Sequence, residues 1–332
     1  MKSTRIEHDL LGEREVPAEA YYGIQTLRAL ENFNITGVPI SHYPRLVHSL
    51  AYIKKAAAQA NVELGLLEPK IGNAIVKACD EIAAGALTSE FVVDVIQGGA
   101  GTSTNMNANE VIANRALEHL GYEKGRYDIV HPLNHINMSQ STNDVYPTAI
   151  RLTLSQKLDG LMVEMTGLRD ALRQKGVEFA DVLKMGRTQL QDAVPMTLGQ
   201  EFEAWAVTIT EDLQRVREAQ ALVREINMGA TAIGTGLNAH PAYALVVTEK
   251  LRQASGVPVV KAENLVEATQ DTGAYVQLSG VLKRVAVKLS KISNDLRLLS
   301  SGPRAGLGEI NLPPMAPGSS IMPGKVNPVI PE

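Results

Sequence analysis

Cysteine is almost absent: 332 residues contain one, Cys79. A single thiol closes no internal disulfide and rules out a Cys-rich zinc site. Cys79 lies in an apolar helical run with Ile75, Val76, Ala78 and Ile82, so it is expected in the core. Aromatic residues are scarce too, at 4%, and Trp205 is the one tryptophan. A core with so few rings must be filled by Leu, Ile, Val and Ala, which suits long helices packed closely. Positive charge is not in excess: 32 Lys and Arg face 36 Asp and Glu, for a net −4. With no polybasic cluster, neither nucleic acid nor a membrane surface is an expected partner. No window of about 18 apolar residues offers a bilayer span. The first residues, Met1 to Asp9, lack the apolar stretch of a signal peptide, which leaves the cytoplasm as the expected compartment. Repeats and low-complexity tracts are missing as well. Strand signals are sparse and show no alternating βα rhythm, so a parallel α/β sheet is not expected.

What is present is helical periodicity. The length suits two domains, and 45% hydrophobic with 20% charged residues is the profile of a soluble protein. Tyr275, Leu278, Leu282, Val285, Leu289, Ile292, Leu296 and Leu299 recur at alternating steps of three and four, a heptad seam that predicts a helix over 271–300. A helix about 45 Å long cannot bury such a stripe alone and needs a bundle. A second helix is expected after Pro195, with Thr197 and Gln200 at capping-box spacing, a stripe through Phe202, Trp205, Ile209, Leu213, Val216, Val223 and Ile226, and Gly229 as C-cap. A third is expected to open at Pro147 in its first turn and to run towards Gly176. Shorter helical runs near 44–63, 70–85 and 109–121 are punctuated by Gly and Pro. The expected fold is mainly α: an N-terminal mixed helical domain over 1–140, then a long central helical bundle over 141–332. Residues 302–332 break the pattern with seven of the sixteen prolines, yet apolar residues recur throughout, as in a functional loop.

Four polar clusters interrupt the helices: Gln97 to Asn107, Ser139 to Asp144, Gly186 to Asp192, and Gly318 to Asn327. Each offers hydroxyls, amides and flexible backbone N–H groups. The second and third are expected at helix N-termini, where free N–H groups and the dipole favour an anion. Any one of them has a plainer role, because Ser, Thr, Asn and Asp before a helix commonly serve as caps and Arg187 or Lys325 could be solvated surface charges. Four together describe a pocket for a small oxygen-rich anion such as a dicarboxylate. The fourth adds Ser319, Ser320, Lys325 and Asn327 on a Gly- and Pro-framed loop. A serine acts as a base only if ionised, and Lys325 with the Gly-Ser-Ser backbone could supply the cation and the donors. No Gly-x-Ser-x-Gly elbow of a hydrolase occurs.

The run Gly318-Ser-Ser-Ile-Met-Pro-Gly-Lys-Val-Asn-Pro328 resembles the signature of the aspartase/fumarase superfamily. The resemblance extends to Tyr21-Tyr-Gly-Ile-Gln-Thr26, Gly101-Thr-Ser-Thr-Asn-Met-Asn107, Ser139-Gln-Ser-Thr-Asn-Asp144, Gly186-Arg-Thr-Gln-Leu-Gln-Asp192, Asn227 to Asn238, and Asn294 to Leu307. In effect it covers the whole chain. Val329-Ile-Pro-Glu332 after the signature is similar to the aspartase branch, and Gln189 stands where class II fumarases carry a histidine used on water. His131-Pro-Leu-Asn134 resembles a secondary dicarboxylate site of fumarases, with Leu133 replacing a polar residue.

The resemblance implies a carbon–nitrogen lyase that reversibly converts L-aspartate to fumarate and ammonia without a cofactor or metal. The alternatives are a class II fumarate hydratase and a non-catalytic structural homologue. It implies that Ser319 removes a C3 proton, with Lys325 assisting, to give a carbanion held as an aci-carboxylate. Thr102, Ser141, Thr142, Thr188, Lys325 and Asn327 match carboxylate-binding positions, Asn143 the amino-group position, and Gln189 and Ser320 further substrate contacts. The loop 316–328 would close over the substrate. The family further implies a homotetramer with active sites shared between subunits, and a C-terminal domain that lies outside this chain.

Overall fold

The computed structural model describes residues 3–98 and 101–332. It opens with an antiparallel pair, β1 (Thr4–Asp9) and β2 (Gly12–Pro17), followed by α1 (Ile24–Asn32), α2 (Pro44–Glu63), α3 (Pro69–Ala83) and α4 (Thr102–His119). Then come α5 (Thr142–Glu178), a hairpin of β3 (Leu183–Thr188) and β4 (Gln191–Thr197), and α6 (Leu198–Val223). The two-residue strand β5 (Glu225–Ile226) pairs in parallel with β6 (Val260–Lys261), which follows α7 (Tyr243–Ser255). After α8 (Leu265–Gln270) and α9 (Gly273–Leu299) the chain is irregular. It divides into two compact units, Met1–Lys157 with Gln220–Ala274, and Leu158–Ala219 with Tyr275–Glu332. The fold is mainly α, and among the described residues no helix is long and apolar enough to cross a membrane.

The first unit has an aliphatic core. Val47, Leu50 and Ile53 of α2, Ile75 and Ile82 of α3, Val111 and Ile112 of α4, and Val145 and Leu152 of α5 are all buried in one cluster, with Tyr243 and Leu251 of α7. Cys79 is wholly buried there, and burial holds its thiol protonated, as a core role requires. α2 starts with Pro44 in its first turn, where a missing N–H costs nothing. The Tyr21-Tyr-Gly-Ile-Gln-Thr run explains itself at α1. Glu110 accepts from the N–H groups of Gly23 and Gln25 at 2.8 Å and Thr26 at 3.1 Å, and Glu7 accepts from Ile24 at 2.8 Å. The free N–H groups of that helix end are thus met by two carboxylates. A Cβ on Gly23 would stand 2.6 Å from Glu7 Oε2 and 2.9 Å from Glu110 Cδ, so the position demands glycine.

In the second unit, Trp205, Ile209, Leu213 and Val216 of α6 and Leu278, Val285, Ile292 and Leu299 of α9 are buried. The capping box forms as its spacing requires: Thr197 Oγ1 accepts from Gln200 N at 3.2 Å and Gln200 Oε1 from Thr197 N at 3.0 Å. The buried Asp212 of α6 is paired with Arg284 at 2.8 Å and Lys288 at 3.0 Å on α9. The heptad seam of α9 is only half used within the chain. The column Leu278, Val285, Ile292, Leu299 is buried, whereas Leu282 is 37% exposed and its column-mates are half-buried.

Four expectations need correction. α6 ends at Val223 and Ile226 lies in β5, so Gly229 is not the C-cap of that helix. α5 begins at Thr142, so Pro147 lies inside the helix, past its first turn. Proline has no N–H for the carbonyl four residues back, and that carbonyl, of Asn143, accepts instead from Asn227 Nδ2 at 3.0 Å. α4 begins at Thr102, seven residues before the expected start, so the polar run 102–107 is itself helical. The Gly186–Asp192 cluster sits on the β3–β4 hairpin and not at a helix N-terminus.

Candidate active site

The sequence-selected residues fall in both units. Thr102, Ser141, Thr142 and Asn143 belong to the first; Thr188, Gln189, Ser319, Ser320, Lys325 and Asn327 belong to the second.

In the first unit Thr102 opens α4 and is exposed. Gly101 before it has φ +86°, and a Cβ there would lie 2.7 Å from the Tyr146 ring. Much of the same cluster is structural. Asn107 is fully buried and bonds Val92 N and Glu90 O at 2.9 Å. Gly99 and Ala100, also in the cluster, lie outside the described residues. Asn105 Nδ2 reaches Asn137 Oδ1 at 3.0 Å and Thr142 Oγ1 at 3.3 Å. Ser141 Oγ accepts from Asn143 N at 3.2 Å, and Asn143 Nδ2 donates to Ala232 O at 2.8 Å. Only the amide NH2 can donate to a carbonyl, so this bond fixes which way the Asn143 side chain faces. Its Oδ1, an acceptor, is turned to the other side.

Sequence reasoning passed over the groups beneath this segment. Asp144 has no solvent exposure; it accepts from Ser141 N through Oδ1 and from Gly229 N and Thr231 N through Oδ2. Lys54, buried in α2, donates to Asn137 Oδ1 and Gln140 Oε1 at 2.9 Å each. Burial pushes Asp144 up and Lys54 down, while the attraction between their charges works against both shifts. A lysine pair, Lys54 and Lys55, set between Ile53 and Ala56 in an apolar helical run was the available signal for the second of these.

In the second unit Thr188 and Gln191 flank a two-residue turn in which Gln189 and Leu190 have φ +53° and +64°. Positive φ at both central residues is the type I′ hairpin geometry, usually held by Asn-Gly. Arg187 is engaged: it pairs with Glu309, which also meets Lys184 at 3.0 Å, and Lys184 pairs in turn with Glu201. Burial would raise the Glu309 carboxyl, but hydrogen bonds from Arg187 and Lys184 and their charges bring it below the ordinary range.

The signature loop is closed by a short bridge between Pro317 and Val326 and by Gly318 N donating to Lys325 O at 2.8 Å. A Cβ on Gly318 would lie 2.6 Å from Asn327 Oδ1. Ser319 Oγ accepts two backbone hydrogen bonds, from Ile321 N at 3.2 Å and Met322 N at 3.1 Å. Two donors aimed at one oxygen favour its anion. Ser320, Ile321 and Lys325 are exposed, whereas Ser319 and Asn327 are half-buried. Lys325 and Asn327 line a cleft of about 970 Å³ with Asn294, Arg297 and Ser301. The loop thus holds a hydroxyl bound by two N–H donors, and the cleft is lined by two cations and amide side chains. His131, by contrast, spends Nδ1 on the N–H groups of Leu133 and Asn134, as a turn cap.

A lyase family profile matches residues 12–332. The aspartate ammonia-lyase of Pseudomonas aeruginosa is 64% identical over 331 residues, 99% of this chain and 70% of that protein. A solved structure described as a fumarate lyase:delta crystallin from Brucella melitensis, bound to cobalt, superposes with a TM-score of 0.95 at 62% identity, covering 99% of this chain and 72% of that one. A class II fumarase from Schistosoma mansoni superposes with a TM-score of 0.94 at 39% identity, again over 99% and 72%.

Proposed function

The chain belongs to the lyase family of aspartases and fumarases, and on that premise we propose that it is a cytoplasmic enzyme converting L-aspartate reversibly to fumarate and ammonia. The observation that carries the chemistry is the pair of N–H donors on Ser319 Oγ. They stabilise an alkoxide, which a serine needs to act as a base. Ser319 takes one proton from C3 of L-aspartate, and the electron pair moves into the adjacent carboxylate, giving an aci-carboxylate with two negative charges. Collapse of that dianion forms the C2–C3 double bond and expels the amino group as ammonia. Holding the extra charge is the principal electrostatic task, and hydroxyl, amide and cationic donors at Thr102, Ser141, Thr142, Thr188, Lys325 and Asn327 suit it. Gln189 and Ser320 add donors beside them. Asn143 Oδ1, with the amide oriented by Ala232, accepts from the substrate ammonium.

The difference from a hydratase is the leaving group. Gln189 cannot exchange a proton near neutral pH as histidine can, which disfavours work on water. Incubating the chain with L-aspartate or L-malate and following fumarate by its ultraviolet absorbance separates the two. Fumarate is expected from L-aspartate; fumarate from L-malate alone would establish the hydratase instead. Assembly as a homotetramer with shared sites is supported by apolar side chains left exposed on the long helices, Val163 and Val177 of α5, Val207 of α6, and Val276, Leu282 and Val287 of α9. Sedimentation velocity tests it: a monomer would exclude shared sites.

A further inference from the structure

Asp144 does more than a helix cap requires. As the third residue of α5 it returns one bond to Ser141 N at 3.0 Å, the reciprocal half of a capping box. Its second oxygen faces away from that task and takes two more N–H groups, Gly229 at 3.2 Å and Thr231 at 3.0 Å. Those two donors converge because the turn that carries them is left-handed at both residues, with φ +89° at Gly229 and +56° at Thr231. Successive N–H groups in such a turn form an anion-binding concavity, here filled by the protein's own carboxylate. Two further bonds run between the same segments, Asn143 Nδ2 to Ala232 O at 2.8 Å and Asn227 Nδ2 to Asn143 O at 3.0 Å. On the other flank Lys54, through Asn137 and Asn105, leads to the Thr142 hydroxyl.

We propose that Asp144 is a positioning residue for the reaction: its carboxylate clamps the Ser141–Thr142–Asn143 segment to the 229–232 turn, fixing the substrate-facing hydroxyls and the Asn143 amide. The inference rests on the function proposed above. A capping role alone would leave the 229–231 N–H groups uninvolved and would affect stability without a selective effect on substrate. A clamp predicts a change in how the substrate is held, because a shift of about 1 Å in a binding group can cost about 100-fold.

The test is Asp144→Asn, which keeps the volume but turns one acceptor oxygen into a donor that faces other donors. KM for L-aspartate is expected to rise about tenfold or more, with kcat changed much less. In parallel, hydrogen exchange at the amides of Ser141, Gly229 and Thr231 is expected to accelerate while the α2 and α3 amides stay protected. Unchanged KM, or exchange accelerated uniformly across the unit, overturns the clamp. If Asp144→Asn does not fold, Asn227→Ala removes the parallel tie to Asn143 O; a raised KM there supports the clamp and an unchanged one overturns it. Failure of the wild type to act on L-aspartate refutes the function, whereas the exchange pattern decides the clamp separately.

Discussion

Glu309 joins the tail that leads into the signature loop to the hairpin that carries Thr188, through Arg187 and Lys184. Replacing it by Gln removes the charge and keeps the shape. Side-chain exposures are 8% for Lys184, 18% for Glu309 and 21% for Arg187, so the triad lies between the surface and the interior. Surface pairs contribute about 0–1 kcal/mol, and breaking a fully buried pair costs about 3–5 kcal/mol. Lys184 keeps Glu201, which leaves Arg187 as the group stranded, and a loss of about 2 kcal/mol is expected. Urea titration is the assay, since it does not screen charge. The pH dependence follows from sign. Glu309 sits below its ordinary value when folded, so its contribution is complete above the unfolded carboxyl's value of about 4.5 and is lost as pH falls through the folded one. The difference between wild type and Glu309→Gln is therefore full at neutral pH and shrinks in acid. A difference under about 0.5 kcal/mol at neutral pH, or one that persists unchanged in acid, would refute the reasoning.

Two further outcomes are expected. Burial pushes Glu110 up to about 7, against the lowering effect of the N–H donors on α1. A carboxyl raised on folding stabilises in acid and loses that contribution as pH climbs through its folded value. The stability of wild type relative to Glu110→Gln should thus fall between about pH 4.5 and 7, by up to about 3 kcal/mol, and a flat difference in urea melts would contradict it. Leu190 is 70% exposed with φ +64°, so Leu190→Gly relieves about 1–2 kcal/mol of strain against about 0.5–1 kcal/mol of added chain entropy. A net gain in melting temperature is expected, and a loss would show that the Leu190 side chain makes contacts worth more than the strain.

Helices whose signals are local were legible in the sequence. α2 runs over the predicted residues because Pro44 sets its start and apolar residues its face, and α9 lies within two residues of the predicted bounds because its seam is unbroken. The capping box at Thr197 was readable for the same reason. The β3–β4 hairpin was not, because Gln189-Leu190 carries none of the Asn-Gly preference of its turn and a tertiary ion triad helps to hold it. Nor was the start of α5, since Pro147 signals a beginning where long-range help from Asn227 permits an interior. The site divides along the same line. The residues that present hydroxyls and amides stood out as clusters, whereas Asp144, Lys54 and Glu309 act through partners 83 to 125 positions away in sequence, and no local pattern encodes such contacts.

The central claim is that Ser319 is the base. The direct measurement compares wild type with Ser319→Ala for fumarate release from L-aspartate, alongside calorimetric binding of L-aspartate to each. A loss of about 1,000-fold or more in kcat, with the binding constant within about threefold, is the predicted result. Near-full turnover by Ser319→Ala would contradict the account, because the two N–H groups on Oγ would then serve only to close the loop.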